Sequence, residues 1–430
     1  MAYFPKWRLC STALDGETQV VAADERLPAA QTVAMGIQHV VAMFGATVLA
    51  PLLMGFDPNL AIFMSGIGTL LFFVLVGGRV PSYVGSSFAF IGLVIAVTGY
   101  GGQGHNANLG VALGGIIACG AVSVLIGIIV MATGAGWIER LMPPVVTGAV
   151  VAVIGLNLAP IAVKGVTANN FDAWMALCTV LCVGLVAVYA RGMMQRLLIL
   201  IGLVLAYIIY ALLANGAGLG KPIDFGIIAN AAWFGMPVFA SPVFKAEAMT
   251  LLAPVAIILT AENLGHIKAV GAMTGQNLDR YMGRAFVGDG LATIVSGSVG
   301  GTGLTTYAEN IGVMAATRIY STLVFAVAAL IAIVLGFSPK FGAVIQTIPG
   351  AVLGGVSIVV FGLIAVSGAR IWVQNKVDFS NNRNLIVAAA TLVLGAGDFT
   401  LKLGGFALGG IGTATFGAII LHAILRPRKS

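Results

Sequence analysis

Apolar residues fill this chain from end to end, in stretches cut by charges, Pro and Gly. Crossing a bilayer core of about 30 Å takes roughly 20 apolar residues as a helix, so each stretch reads as a membrane span. The stretches fall near 30–53, 60–76, 83–98, 111–131, 144–161, 173–190 and 197–213. A second set follows near 251–266, 283–299, 304–316, 321–337, 352–366, 385–395 and 406–425. The pattern predicts an all-α polytopic membrane protein of about fourteen segments, seven in each half.

Two runs are unlike the others. Pro81-Ser-Tyr-Val-Gly-Ser-Ser-Phe-Ala-Phe-Ile-Gly92 and Gly300-Gly-Thr-Gly-Leu-Thr-Thr-Tyr-Ala-Glu-Asn-Ile-Gly312 carry Gly, Ser, Thr and aromatics where Leu and Val would be expected. Each is the third segment of its half. Matching interrupted segments in two halves point to an inverted-repeat transporter with a site near the membrane midplane. Extended backbone at that depth leaves N–H and C=O groups free, which is tolerated only inside protein or beside a polar cavity. Two such pieces crossing there could satisfy one another and still offer amides to a ligand. Close helix packing through small residues is the plainer reading.

Composition agrees with the pattern: 430 residues, 59% hydrophobic and only 9% charged, with mean hydropathy +1.03. An ordinary soluble domain is about 25% charged. The net charge of +7 could suggest an acidic partner such as nucleic acid, but its distribution is topological. With a cytoplasmic N-terminus, 17 of the 22 basic residues fall on the cytoplasmic side and 5 on the other (Lys164, Lys221, Lys245, Lys340 and Lys402). That bias places both termini in the cytoplasm. Residues 1–28 are polar and mixed in charge, without the basic start and apolar core of a cleavable signal, and read as a cytoplasmic tail. The cysteines Cys10, Cys119, Cys178 and Cys182 lack paired metal-ligand spacing and read as packing residues, so no metal is expected.

Three carboxylates fall within apolar runs: Glu262, Asp289 and Glu309. A charge at the bilayer centre costs from about 2.5 to more than about 10 kcal/mol, so each is a functional candidate. Glu262 and His266 are four apart, on one helical face, where carboxylate and imidazole can share a proton. The alternative is a structural Glu–His hydrogen bond. Gln38-His39 lies on the first span, where His39 either lines a site or packs in the core. Asp289, between two glycines, reads as a supporting group that bonds a neighbouring interrupted helix. His105, in an outer loop, and His422, near the C-terminus, are assigned no role. No HExxH, GxSxG or P-loop signature is present, which argues against a membrane-embedded enzyme, and no cofactor is implied.

The run Glu309-Asn-Ile-Gly-Val-Met-Ala-Ala-Thr-Arg318 resembles the signature of the nucleobase–ascorbate transporter family: an acid or Gln, Asn, one residue, Gly, four residues, Thr and a basic residue. Gln38-His39, Gly85-Ser-Ser-Phe-Ala-Phe90 and Ala261-Glu-Asn-Leu-Gly-His266 resemble its other motifs, so the likeness spans nearly the whole chain. Within the family the chain is most similar to bacterial uracil permeases, especially those associated with pyrimidine degradation. The resemblance implies two inverted seven-segment repeats, short antiparallel strands in segments 3 and 10, and a homodimer in the bacterial inner membrane. It also implies a core domain (29–142 and 249–338) that moves as an elevator against a gate domain (143–248 and 339–425), with a C-terminal tail at 426–430.

On this resemblance the partners are a small nucleobase, a proton and the lipid bilayer, and not nucleic acid. Glu262 would accept the ring N–H groups and Glu309 would hold the other edge. The backbone N–H groups of Phe88 and Ala308 would serve the carbonyls, with Phe88 and Tyr307 walling the pocket and His39 nearby. His266 would join Glu262 in proton coupling, and Gln38, Asp289, Asn310, Thr317 and Arg318 would support. Uracil fits, because its two N–H donors want acceptors and its two carbonyls want donors. Ala308, where uracil permeases often have Gly, and Asp289, an acid usual in purine transporters, keep xanthine and uric acid as alternatives. An anion carrier on the same architecture would present helix N-termini without two glutamates. A passive channel suits buried carboxylates facing interrupted helices less well than a closed, alternating site.

Overall fold

The computed structural model describes residues 3–10, 20–101, 104–167, 169–403 and 406–425. The expected C-terminal tail at 426–430 lies outside the described residues, as do residues 11–19 of the N-terminal one. Among the described residues, eight helices are long and apolar enough to cross a membrane. They become nine if Thr322–Gly336 and Pro339–Gln346, bent by 81°, form one span. Phe88–Thr98, Asn382–Ala396 and Gly410–Ile424 are shorter apolar helices. The chain is a multi-pass membrane protein.

The helices pack in two groups. Ala29–Met54, Pro58–Leu75, Leu109–Thr133, Ala246–Leu252, Met282–Val299 and Thr322–Gly336 form one, and Pro144–Val166, Asn170–Tyr189, Leu198–Ala211, Gly350–Gln374, Asn382–Ala396 and Gly410–Ile424 form the other. Lipid gives no hydrophobic drive for one helix to join another, so contact depends on close backbone approach through small residues. In the first group Gly120 and Gly290 meet face to face, and a Cβ on either would lie 2.7 Å from the other's carbonyl oxygen. Gly148 and Gly368 make the matching contact in the second group.

The run at 83–98 divides into a strand, Val84–Ser86, a 3-10 turn, Phe88–Phe90, and a helix, Ile91–Thr98. The run at 304–316 divides likewise into a strand, Leu304–Thr306, and a helix, Ala308–Thr317. The strands pair antiparallel, Val84 opposite Thr306 and Ser86 opposite Leu304, and all six residues are buried. Ser87 N–H to Gly303 (2.9 Å) and Tyr307 N–H to Tyr83 (3.0 Å) extend the ladder at each end.

Two strands leave two outer edges, which cannot stay bare in a membrane interior. A threonine from each of two different helices satisfies one residue on each edge. Thr69 Oγ1 accepts from Val84 N–H (2.9 Å) and donates to Val84 C=O (3.1 Å). Thr293 Oγ1 does the same for Leu304, at 3.1 Å in both directions.

Three features differ from the sequence reading. The span expected at 251–266 is a helix, Ala246–Leu252, that breaks before Pro254 and resumes as Val255–Thr274. A hairpin, Leu401–Leu403 with Phe406–Leu408, precedes the last helix, in part of what was expected to be a span. Residues 20–27, read only as part of a cytoplasmic tail, dock onto the fold. Val21 pairs with Ile319, Ser321 Oγ donates to Glu25 C=O (2.6 Å), and Val21 and Leu27 bury against Ile319 and Val324. Apolar side chains at 21, 23 and 27 supply that anchorage within an otherwise polar segment.

Candidate functional site

The strand crossing delivers two helix starts to one place. The first N–H groups of a helix have no intrahelical carbonyl to bond, and they carry the positive end of its dipole. Phe88 and Ala308 stand at these two starts. Ser87 Oγ accepts the Ala89 N–H (3.2 Å), whereas the helix beginning at Ala308 has no side-chain cap. Glu309, in the first turn of that helix, is placed where the dipole favours a carboxylate.

Glu262 enters from the Val255–Thr274 helix and lies within electrostatic reach of both Glu309 and Asp289. Thr305 lies beside Glu262, yet its Oγ1 is buried and closes no regular hydrogen bond. Glu262, His266, Phe88 and Glu309 are partly exposed and Ala308 is exposed, in a region where the strands are wholly buried. A Cβ added at Gly265 or Gly312 would meet nothing within 4 Å. These residues border open space. Two cavities of about 410 and 460 Å³ lie elsewhere, and neither touches a glutamate of this cluster.

Buried polar groups are ordinarily bonded. Around the crossing, Thr305 lies against Glu262 and the Thr306 backbone against Asp289, while His39 Nε2 and Asn310 Oδ1 close no hydrogen bond among the described residues.

Other expected site residues sit behind this surface. Tyr307 is 4% exposed, its hydroxyl accepting from Thr47 Oγ1 (3.0 Å) and donating to Ser86 C=O (2.9 Å). A Cβ on Gly85 would stand 2.6 Å from the Tyr307 ring, so glycine is what lets the ring lie against the strand. His39 is fully buried, 4.4 Å from the Phe325 ring centroid, and Asn310 Nδ2 donates to its carbonyl (3.0 Å) and faces its Nδ1 (3.0 Å). Gln38 is half-buried on the same helix. Thr317 Oγ1 bonds Val313 C=O (2.9 Å), and Arg318 ends that helix at φ 55°.

The Glu262–His266 spacing allows a shared proton; the His266 Nδ1 hydrogen bond is made with Thr306 Oγ1 (2.8 Å). Thr306 Oγ1 donates to Asn263 Oδ1 (2.6 Å), and Asn263 Nδ2 donates to Asp289 Oδ2. Sequence reasoning missed Thr306 and Asn263. Their only signal was position, one beside Glu262 and one in the Gly/Thr run. Phe88 meets Phe361 of the second helix group edge-on, at 6.3 Å between ring centroids.

Residues 30–404 match the family model described as "Permease family" (Xan_ur_permease). The chain belongs to the nucleobase–ascorbate transporter family. An Escherichia coli K12 protein provisionally named pyrimidine permease RutG is 70% identical over 422 residues, covering 98% of this chain and 95% of its own length. Uracil permeases of Paenibacillus larvae and Escherichia coli K12 are 41% and 38% identical, over 94% and 95% of this chain and 96% and 94% of theirs. The family consists of transporters, so the chain is a permease and not an enzyme.

Among solved structures, the transmembrane domain of a cyanobacterial bicarbonate transporter, BicA, matches with TM-score 0.59 at 14% identity, over 91% of this chain and 96% of that one. SLC26A9 matches with TM-score 0.63 at 12% identity, over 93% of this chain but just under two thirds, 66%, of its own. Such likeness carries the transporter fold alone.

Proposed function

We propose that this permease takes a pyrimidine nucleobase, uracil, into a bacterial cell together with a proton. The observation that carries the reading is the meeting of Glu262 and Glu309 with two helix starts at the strand crossing. Two acceptors and two sets of backbone donors match uracil's two N–H and two C=O groups, and one mismatched buried group would cost about 1 to 3 kcal/mol. Glu262 accepts the ring N–H groups, Glu309 holds the opposite edge, and the N–H groups of Phe88 and Ala308 serve the carbonyls. The Phe88 ring walls the pocket. Tyr307, His39 and Asn310, being buried, hold the strands and the Glu309 helix in place. The names of the relatives support the substrate class.

The architecture we infer is a pair of inverted seven-segment repeats. Thr69 and Thr293, each closing the outer edge of one short strand, support it as counterparts in the two halves. The two helix groups act as core and gate, with the Phe88–Phe361 contact between them, and transport is an elevator movement of one against the other. The protein sits as a homodimer in the inner membrane with both termini cytoplasmic, in keeping with the distribution of basic residues. Protons enter through Glu262, assisted by His266.

The test is uptake of radiolabelled uracil into proteoliposomes under an inward proton gradient, native against Glu262→Gln. Gradient-stimulated uptake abolished by the substitution supports the reading. Uptake of xanthine but not uracil moves the substrate to a purine, and no nucleobase uptake by folded protein overturns the proposal.

A further inference from the structure

The bonds joining His266, Thr306, Asn263 and Asp289 have a direction. A hydroxyl has one proton to give, and Thr306 gives it to Asn263 Oδ1, so toward His266 the same oxygen can only accept. His266 therefore carries its proton on Nδ1, leaving Nε2 as the ring's acceptor when the imidazole is neutral. The orientation of Asn263 is set in turn by Asp289, because the opposite flip would press an amide oxygen against a carboxylate. Thr306, Asn263 and Asp289 are each at most 2% exposed, so water does not compete for these bonds. The chain links three separately placed elements: the Val255–Thr274 helix, the Leu304–Thr306 strand and the Met282–Val299 helix.

We propose that Asp289, acting through Asn263 and Thr306, sets the tautomer of His266, which makes these three residues positioning residues for the permease site. With Asp289 ionised, Asn263 donates to it, Thr306 donates to Asn263, and His266 donates from Nδ1. With a proton on Asp289, its O–H donates to Asn263 Oδ1 after the amide turns over. Asn263 Nδ2 then donates to Thr306, and Thr306 donates to Nδ1. The ring proton then resides on Nε2, exchanged through the open space beside Gly265. One ionisation on the Met282–Val299 helix thereby decides whether the free edge of His266 offers a donor or an acceptor.

The titratable groups facing this chain are Glu262 on the His266 helix, Glu309 and Tyr307 from the neighbouring interrupted segment, and Asp289 itself. Lys268, two residues beyond His266, is engaged by Glu139 (3.0 Å) and Asp279 (2.9 Å) instead. The inference deepens the transport reading, resting on it only for the claim that His266 assists proton coupling.

Nitrogen NMR of 15N-histidine-labelled protein in bilayers, with His266 assigned by His266→Gln, reads the tautomer directly. At a pH where Asp289 is ionised, the native protein should show His266 protonated at Nδ1 by about fivefold over Nε2, the bias one ordinary hydrogen bond of about 1 kcal/mol supplies. Asp289→Asn and Thr306→Val should bring the two tautomers toward parity, while Thr306→Ser should keep the native ratio. If Asp289→Asn does not fold, Thr306→Val against Thr306→Ser makes the same comparison. A native ring protonated at Nε2, or a ratio unchanged in both Asp289→Asn and Thr306→Val, overturns the proposal. Uracil uptake against pH is measured on the same preparations. Loss of all uptake with the tautomer pattern intact would count against the transport reading and leave the tautomer assignment standing.

Discussion

Replacing Thr293 by Val keeps the shape of the side chain and removes its hydroxyl, so the change opens no cavity and isolates two hydrogen bonds. In the native protein that hydroxyl accepts from Leu304 N–H and donates to Leu304 C=O, both at 3.1 Å, along a strand edge with no third strand. A hydrogen bond between membrane-embedded groups averages about 0.6 and reaches about 1.7 kcal/mol, while orphaning a buried group costs about 1 to 3. With two backbone groups affected, Thr293→Val should destabilise the fold by about 1 to 3 kcal/mol. Thr293→Ser keeps both bonds and loses one methyl, about 0.8 kcal/mol. Reversible unfolding in bicelles by titration with a denaturing detergent compares the three proteins. Hydrogen exchange at the Leu304 amide should accelerate in the Val variant alone. If Val were within about 0.3 kcal/mol of native while Ser cost more, packing and not edge closure would hold the strand.

Gly85→Ala should push the Tyr307 ring off the strand, since the new Cβ would stand 2.6 Å from it; loss of about 1 to 3 kcal/mol is expected, with weakened uracil binding by calorimetry. Gly290→Val should separate the Leu109–Thr133 and Met282–Val299 helices, where even a Cβ alone would lie 2.7 Å from Gly120 C=O, and lower the unfolding temperature more than the same change at the open Gly312. In the loop beyond the Gly350–Gln374 helix, the Ser380 hydroxyl (2.6 Å), then its N–H, holds the Asp378 carboxyl below its usual range. A depressed carboxylate stabilises the loop at neutral pH and loses that contribution as pH falls through its folded pKa. Ser380→Ala should raise the Asp378 titration toward the ordinary value, as read by NMR.

Much of this was legible in the order of residues because a bilayer permits few solutions. Long apolar runs became helices, and the two runs rich in Gly, Ser and Thr became short strands leading into helices. The membrane carboxylates were conspicuous through their cost. Contacts through space were not legible. Spacing along a helix favoured Glu262 as the partner of His266, whereas a strand from forty residues away supplied Thr306. Thr69 and Thr293 looked like ordinary polar residues within spans, because nothing local shows that a strand edge will need them. Val21 and Leu27 were too few apolar residues to mark a docked segment, yet Ile319 and Val324 bury them.

The paired strands also govern when the protein can be finished during synthesis. Ser86 and Tyr307, bonded in the fold, are 221 residues apart. At about 5 to 20 residues per second a ribosome needs roughly 10 to 45 seconds to cover that distance. For that interval the first strand waits with one side already answered by Thr69, only fifteen residues back, and the other side unpaired. Translation therefore delivers half of the strand crossing long before the rest, and a chain halted before residue 304 carries an open strand edge.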